Sequence, residues 1–171
     1  MKPTMEKRII TDEAALAAVH AAVDKANADG WPKAVAVLDD GGNLKAFCRM
    51  QGSPLLAIEV ARQKAYTALQ GRLSSFRFYT FNRDQFSEDP ALLNAALAIP
   101  GITLFPGGVP VRINGETVGA IGVSGGPLDH DHACAQAAAE AIGAEPEEDL
   151  PPFDNSRWRS FSKTVKTARE S

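Results

Sequence analysis

Hydrophobic and polar positions along this chain fall into blocks that predict helix, hairpin, helix, an irregular helical segment, hairpin and helix. Thr11 is a typical N-cap for the first helix, and Gly30 is a typical stop. Two apolar runs around the turn-forming segment 39–43 predict one β-hairpin, and Asn114-Gly115 between two later runs predicts another. Hairpins separated by helices favour an antiparallel sheet with helices packed on it, which is an α+β fold.

Helix starts and faces can be predicted in more detail for part of the chain. The first helix has apolar residues at helical spacing: Leu16, Val19, Val23 and Ala26. Ser53-Pro54 is typical of a helix start, and Gly71 is typical of a helix end. The segment 72–94 is rich in aromatic residues but has poor periodicity. We interpret it as a satellite core, with a lid or a subunit contact as alternatives.

Length and charge exclude several classes of protein. A chain of 171 residues has the length of one domain, and its net charge of -3 offers no broad cationic surface for nucleic acid. No apolar run reaches the roughly 20 residues that a membrane helix needs, and the polar start shows no export signal, so we expect a cytoplasmic protein. Cys48 and Cys134 match no disulfide or zinc spacing and are predicted to be free thiols.

The last part of the chain differs in composition from the rest. After Gly143 it is acidic and proline-rich, and it then carries Trp158, Phe161 and several basic residues. The aromatic residues are typical of an arm that docks on the domain or on a neighbouring subunit, and a mobile tail is the alternative. We therefore predict one domain over residues 1–143 and a C-terminal extension or docking arm over residues 144–171.

Glycines and one lysine carry the candidate chemistry. Gly107-Gly108 and Gly125-Gly126 can turn backbone amides toward an anion, although tight turns and close packing are an equal alternative. Lys64 lies beside the small apolar face of the second helix, where desolvation would lower its pKa and allow it to act as a base or form an imine. The alternative is a structural lysine that reaches solvent or pairs with an acid.

The start of the last helix carries two carboxylates and two imidazoles: Asp129, His130, Asp131 and His132. A helix N-terminus favours ionised carboxylates. The histidines are candidate ligands of haem or a metal, but alternate helix positions point apart, so we expect no metal site built from both. A separate group of basic residues can hold a carboxylate or a haem propionate, or can simply form a solvated helix face: Arg62, Lys64, Arg72, Arg77 and Arg83.

Several motifs occur together between residues 39 and 139. They are Asp39, Gly41, Lys64-Ala65, Gly107-Gly108-Val109-Pro110, Gly115, the glycine-rich segment 118–125, Asp131 and Cys134-Ala135. With these motifs the chain resembles the GlcG/HbpS family, whose haem-binding-type domain also forms the C-terminal part of PduO proteins. The resemblance implies a profilin-like antiparallel sheet flanked by helices, a dimer or larger homo-oligomer, and a pocket near the subunit contacts.

The family resemblance implies fold more firmly than function, because members bind or degrade haem, sense it, or accompany catabolic operons. From the absence of an export signal and an axial-ligand motif, we favour an accessory catabolic enzyme that needs no cofactor. It would be a hydrolase or proton-transfer enzyme acting on a small carboxylate-bearing intermediate, such as an imine, enamine, aldehyde or 2-oxo acid. The alternative is a cytoplasmic haem-binding or haem-degrading protein, and a scaffold without chemistry is a third hypothesis.

The enzyme hypothesis assigns roles to eleven residues. The catalytic residues would be Lys64, Asp131 and His130. The ligand-binding residues would be Asp39, Arg62, Arg72, Gly107, Gly108, Ser124, Gly125 and Gly126. Because Lys64 and Asp131 both match the family motif, we expect them to face one another across the glycine-rich pocket.

Overall fold

The computed structural model describes residues 3–86 and 88–147, and these residues form five helices and four strands. The helices are α1 (Asp12–Asp29), α2 (Leu56–Gly71), α3 (Ser75–Phe86), α4 (Pro90–Leu97) and α5 (Leu128–Ala141). The strands are β1 (Ala34–Asp39), β2 (Leu44–Arg49), β3 (Gly108–Ile113) and β4 (Glu116–Ser124).

The four strands form one antiparallel sheet in the order β2-β1-β4-β3. Two hairpins therefore lie side by side, and β1 of the first pairs with β4 of the second. In the centre of the sheet Val37 lies opposite Ile121. The predicted α+β fold with an antiparallel sheet and flanking helices is confirmed.

Helices cover both faces of the sheet. Val35 and Val37 point into a core shared with α1 and α5, whereas Ala34 and Ala36 point to the opposite face, where Ala57 and Ala61 of α2 pack. A strand that is buried on both faces has no polar side. This explains why residues 34–38 form a continuous apolar run rather than an alternating one.

Two glycines bring α2 unusually close to the sheet. Gly108 in β3 lies opposite Gly122 in β4, and we call this pair the glycine seat. A Cβ on Gly108 would lie 2.0 Å from the carbonyl oxygen of Lys64, and one on Gly122 would lie 2.0 Å from that of Ala61. The seat thus lets the backbone of α2 rest directly on the strands.

The predicted ends of α1 are confirmed, but its predicted face is partly wrong. The Thr11 hydroxyl accepts a hydrogen bond from the Ala14 amide at 3.2 Å, and Gly30 ends the helix with φ 72°. Leu16 is 54% exposed, whereas Ala15 and its small neighbours are buried against α5. Alanines allow the two helices to approach closely, so they and not the larger residue define the buried face.

The predicted start of α2 is wrong, and the irregular helical segment predicted after it contains the regular helices α3 and α4. Ser53 does not cap α2, which begins at Leu56; its hydroxyl is buried and has no hydrogen-bond partner within the described residues. The aromatic segment forms α3, in which Phe76 is buried while Phe81 is 53% exposed. Only part of this segment therefore serves as a satellite core.

The described part of the chain continues a few residues past α5. Residues 144–147 turn back, and the Glu145 amide donates to the Arg112 carbonyl at 2.9 Å. The rest of the predicted arm, residues 148–171, lies outside the described residues, so the boundary at Gly143 stays a prediction. Cys48 and Cys134 are free, as predicted. Within the described ranges no helix has the length and apolar character to cross a bilayer, and the cytoplasmic location stays a prediction.

Candidate functional site

Lys64 and Asp131 meet beneath the glycine-rich loops, as we expected. Lys64 lies on the sheet-facing side of α2, and Asp131 lies in the first turn of α5; each is only 1% exposed. The ammonium Nζ of Lys64 donates to Asp131 Oδ2 at 2.7 Å and to the Val123 carbonyl at 3.0 Å. Two helices and the end of β4 thus fix this contact.

A second buried lysine, which the sequence analysis missed, completes the site. Lys33 is fully buried, and its Nζ donates to Asp131 Oδ1 at 2.5 Å. The residue directly precedes β1, whose two faces are both covered. A lysine next to a continuous apolar run was the available signal, because such a position leaves its amine little access to water. We call Lys33, Lys64 and Asp131 the lysine–aspartate cluster.

The cluster places two amines against one carboxylate. Each oxygen of Asp131 accepts from one lysine, and Oδ1 also accepts from the Gly126 amide at 3.1 Å. Burial lowers the pKa of the Lys64 ammonium below its ordinary value; Asp131 opposes this shift and the charge of Lys33 adds to it. One amine of the pair therefore lacks a protein counter-charge within the cluster.

The protein itself uses part of the anion nest that was one of two alternatives for the glycine pairs. The Gly108 amide donates to the Ser75 hydroxyl at 2.8 Å, and the Gly126 amide donates to Asp131. A Cβ on Gly107 would lie 2.6 Å from the Val123 carbonyl and 3.0 Å from the Lys64 amine. One amide of each pair is already used by the protein, and Gly107 serves close packing around the cluster.

An apolar cavity of about 580 Å³ opens beside the cluster. Lys64, Asp131 and the segment 124–126 lie at its polar side, so Ser124, Gly125 and Gly126 remain candidates for ligand binding. The walls come from the α1–β1 connection, α2, the segment before β3 and the region from the end of β4 to the start of α5. They are mainly apolar: Trp31, Leu56, Val60, Phe105, Pro127 and Leu128. A cavity of this composition suits a ligand with a large apolar body.

Three predicted ligand-binding residues lie elsewhere. Asp39 accepts hydrogen bonds from amides of its own β-turn. Arg62 is half-exposed and pairs with Glu59 at 3.3 Å. Arg72 ends α2 in the left-handed conformation and lines separate clefts together with Arg112. None of the three lines the apolar cavity, and the predicted basic group does not form one surface around Lys64.

His130 is also outside the cavity lining. Its side chain is 39% exposed, and Nδ1 lies 3.3 Å from Asp29 Oδ2 on α1. Helix α5 therefore points His130 toward α1 while Asp131 points into the cluster. Its predicted role in catalysis beside Lys64 is not supported by this position.

His132 is buried next to the cluster on the side of α3. It is 7% exposed, its ring packs edge-on against Phe76 at 5.7 Å, and its Nδ1 has no hydrogen-bond partner among the described residues. Desolvation lowers the pKa of this imidazole to about 4. His132 is therefore neutral at physiological pH. Within residues 3–86 and 88–147, no group of three or more His, Cys, Asp or Glu forms a metal site.

The buried imidazole predicts a specific acid sensitivity. The unfolded chain binds a proton at His132 below pH 6.5, whereas the folded chain binds it only near pH 4, so stability falls as the pH drops through this window. We expect the free energy of unfolding to lose about 3 kcal/mol across the window and His132→Phe to remove that loss. Urea denaturation at pH 7 and pH 4 measures it, with the exposed His20→Phe as the control. Equal losses in both variants would contradict the prediction.

Together, the antiparallel sheet, the helices on both faces and the single-domain size define a small α+β domain with a cavity for a small molecule. Residues 10–140 match the family described as haem degrading protein HbpS-like, and the chain belongs to this family. The resemblance found in the motifs is thus confirmed.

Relatives of known structure and sequence agree with this assignment. Protein GlcG of Escherichia coli K12 is 33% identical over 121 residues, covering 69% of this chain and 83% of GlcG. The crystal structure of a Streptomyces reticuli HbpS double mutant is 33% identical, with a TM-score of 0.72, and covers 82% of this chain and 91% of the other. The crystal structure of a PduOC:haem complex shares the fold at 24% identity, with a TM-score of 0.73 and coverage of 82% and 99%.

The family assignment corrects our functional hypothesis. The expected accessory hydrolase or proton-transfer enzyme for a small carboxylate-bearing intermediate is wrong, because the matching family is described by haem degradation and not by hydrolysis. The structure gives the physical reason for the error. We expected a small, polar pocket built from glycine-rich loops, but the cavity is large and its walls are apolar. The haem alternative fits both findings better.

Proposed function

We propose that this protein binds haem in the apolar cavity beside the lysine–aspartate cluster. The cavity itself carries the proposal, because its volume of about 580 Å³ and its aromatic and aliphatic walls suit a flat apolar ring. Family membership supports it, and so does the fold shared with the PduOC:haem complex.

The residues present fit haem in two respects. Trp31, Leu56 and Phe105 offer apolar surface that would bury the ring and exclude water. The amines of Lys64 and Lys33 add positive charge at one side, which suits the anionic propionates of haem. The described cavity lining contains no His, Cys, Met or Tyr, the usual side-chain ligands of haem iron, so we assign no axial ligand. Haem, when bound, supplies a redox-active iron; the protein supplies binding and orientation.

Two neighbouring leucines provide a matched test. Leu55 and Leu56 are both 74% exposed, but only Leu56 lines the cavity. We expect haem to give a saturable Soret change with one equivalent per chain. Leu56→Ala should weaken binding about 10-fold because it removes apolar contact with the ring. Leu55→Ala should bind like the wild type. A wild-type protein with no saturable Soret change would contradict the proposed function.

We also propose self-association, which the family resemblance implies. Two large apolar side chains that line the cavity are exposed, Leu56 at 74% and Phe105 at 50%. Such side chains on one surface are typical of subunit contacts. Light scattering of the same proteins measures the mass, and a strictly monomeric mass would contradict this part of the proposal.

A further inference from the structure

The lysine–aspartate cluster has more hydrogen-bond donors than the protein satisfies. An ammonium carries three N–H donors. Within residues 3–86 and 88–147, the amine of Lys33 has one acceptor, Asp131, and the amine of Lys64 has two, Asp131 and the Val123 carbonyl. Neither lysine is more than 1% exposed. Buried donors without acceptors are costly, so the cluster is incomplete without further oxygen atoms.

A buried hydroxyl at the same place is also unpaired. Ser53 is 5% exposed, and its oxygen has no partner within the described residues. It lies beneath the loop that covers Lys33, because a Cβ on Gly125 would be 3.3 Å from the Ser53 hydroxyl and one on Gly126 would be 2.5 Å from the Lys33 amine. Of these polar groups with spare hydrogen-bonding capacity, Lys64 lines the cavity, and Lys33 and Ser53 lie directly behind the loop 124–126 at its polar side.

The charge balance indicates the kind of group that would complete the cluster. Two amines face one carboxylate, so an anion adjacent to Lys64 would supply both the missing charge and the missing acceptors. Burial penalises the charged form of Lys64, and an added anion offsets that penalty. A neutral ligand can accept hydrogen bonds but would leave the second amine without a counter-charge.

We propose that Lys64 binds a propionate of haem, with the charge of Lys33 behind it adding to the attraction, so that the site recognises an anionic group on an apolar ring and not the iron. This inference rests on the proposed function and adds a ligand class to it: amphipathic carboxylates, with or without a metal. It also explains why the described lining offers no usual iron ligand, because recognition through the carboxylate edge does not need one.

A ligand series on the folded protein with both buried lysines intact tests the proposal. The probes are haem, haem dimethyl ester, which has no free carboxylate, and protoporphyrin IX, which has no iron. Quenching of Trp31, a cavity residue, reports binding in a Trp158→Phe background that leaves Trp31 as the sole tryptophan. We expect haem and protoporphyrin IX to bind within a few-fold of each other, and the ester to bind about 10- to 100-fold more weakly.

Lysine variants then test whether Lys64 is the residue that distinguishes haem from its ester. Lys64→Met should reduce haem affinity about 10- to 100-fold and change the affinity for the ester much less, since the ester has no carboxylate charge to pair with the amine. Lys25→Met, which removes a lysine paired with Asp29 on α1, is the matched control and should change neither. If Lys64→Met does not fold, the ligand series with both lysines intact decides alone.

The outcomes separate this inference from the proposed function. An ester that binds as tightly as haem would overturn the inference and leave haem binding in place. Protoporphyrin IX that binds far more weakly than haem would also overturn it, because the iron would then carry recognition. If neither haem nor protoporphyrin IX binds the wild type, both proposals fall.

Discussion

A Gly122→Ala substitution is expected to leave little folded protein. The new Cβ would lie 2.0 Å from the Ala61 carbonyl oxygen and 2.6 Å from the Ala65 amide nitrogen. Both obstacles are backbone atoms of α2, so no side-chain rotation can relieve the clash. The helix would have to move off the sheet and uncover its packed face. We expect a loss of about 3 kcal/mol or more, a large part of the roughly 5–15 kcal/mol typical of domain stability.

A glycine in the same hairpin provides the control. Gly115 has φ 77°, but a Cβ there would meet nothing within 4 Å. Gly115→Ala should therefore cost only the strain of the left-handed conformation, about 1–2 kcal/mol. Urea denaturation of both variants measures the difference. Similar losses in the two would mean that α2 does not depend on the glycine seat.

Replacing Asp131 with asparagine should also have a large effect. The carboxylate is the acceptor for Lys33, for Lys64 and for the Gly126 amide. A neutral amide in its place would leave two adjacent buried amines without a counter-charge, and breaking a buried ion pair from one side typically costs about 3–5 kcal/mol. We expect a loss of this size in the free energy of unfolding at pH 7, measured by urea denaturation.

Replacing Lys64 in the same cluster should change the free energy of unfolding much less than replacing Asp131. Lys64→Met keeps the buried volume and leaves Asp131 paired with Lys33. Because two amines share one carboxylate, removing one amine leaves a balanced pair, and we expect a change within about 1 kcal/mol. Equal losses for Asp131→Asn and Lys64→Met would contradict the unequal charge balance that we infer for the cluster.

Local signals were sufficient for much of the fold. Thr11 and Gly30 bound α1, and Asn114-Gly115 forms the turn of the second hairpin, because caps and tight turns depend on a few adjacent residues. The contact of Lys64 with Asp131 came from the motif resemblance and not from spacing. The sequence predicted only an irregular helical segment where α3 lies, because packing of α3 on α2 involves few buried side chains and leaves weak periodicity.

The rest of the site depends on distant contacts. Lys33 and Asp131 are 98 positions apart, and nothing local marks them as partners. Leu16 was assigned to the core because of its size, but close packing of α1 on α5 selects the alanines. The cavity was misjudged for a similar reason. Its walls come from separate elements, whereas the glycine loops that drew attention form only its polar side.

The glycine seat fixes the position of Lys64 but leaves the residues at the cavity mouth free to vary. Because α2 rests on Gly108 and Gly122 through its backbone, the height of Lys64 above the sheet is set by main-chain atoms. Substitutions at the mouth, such as Leu56 or Phe105, change the shape of the cavity without moving the amine. Redesign toward larger or smaller ring systems should therefore begin with residues at the cavity mouth. Relatives that keep the same buried charges should likewise differ in ligand preference through substitutions at these residues.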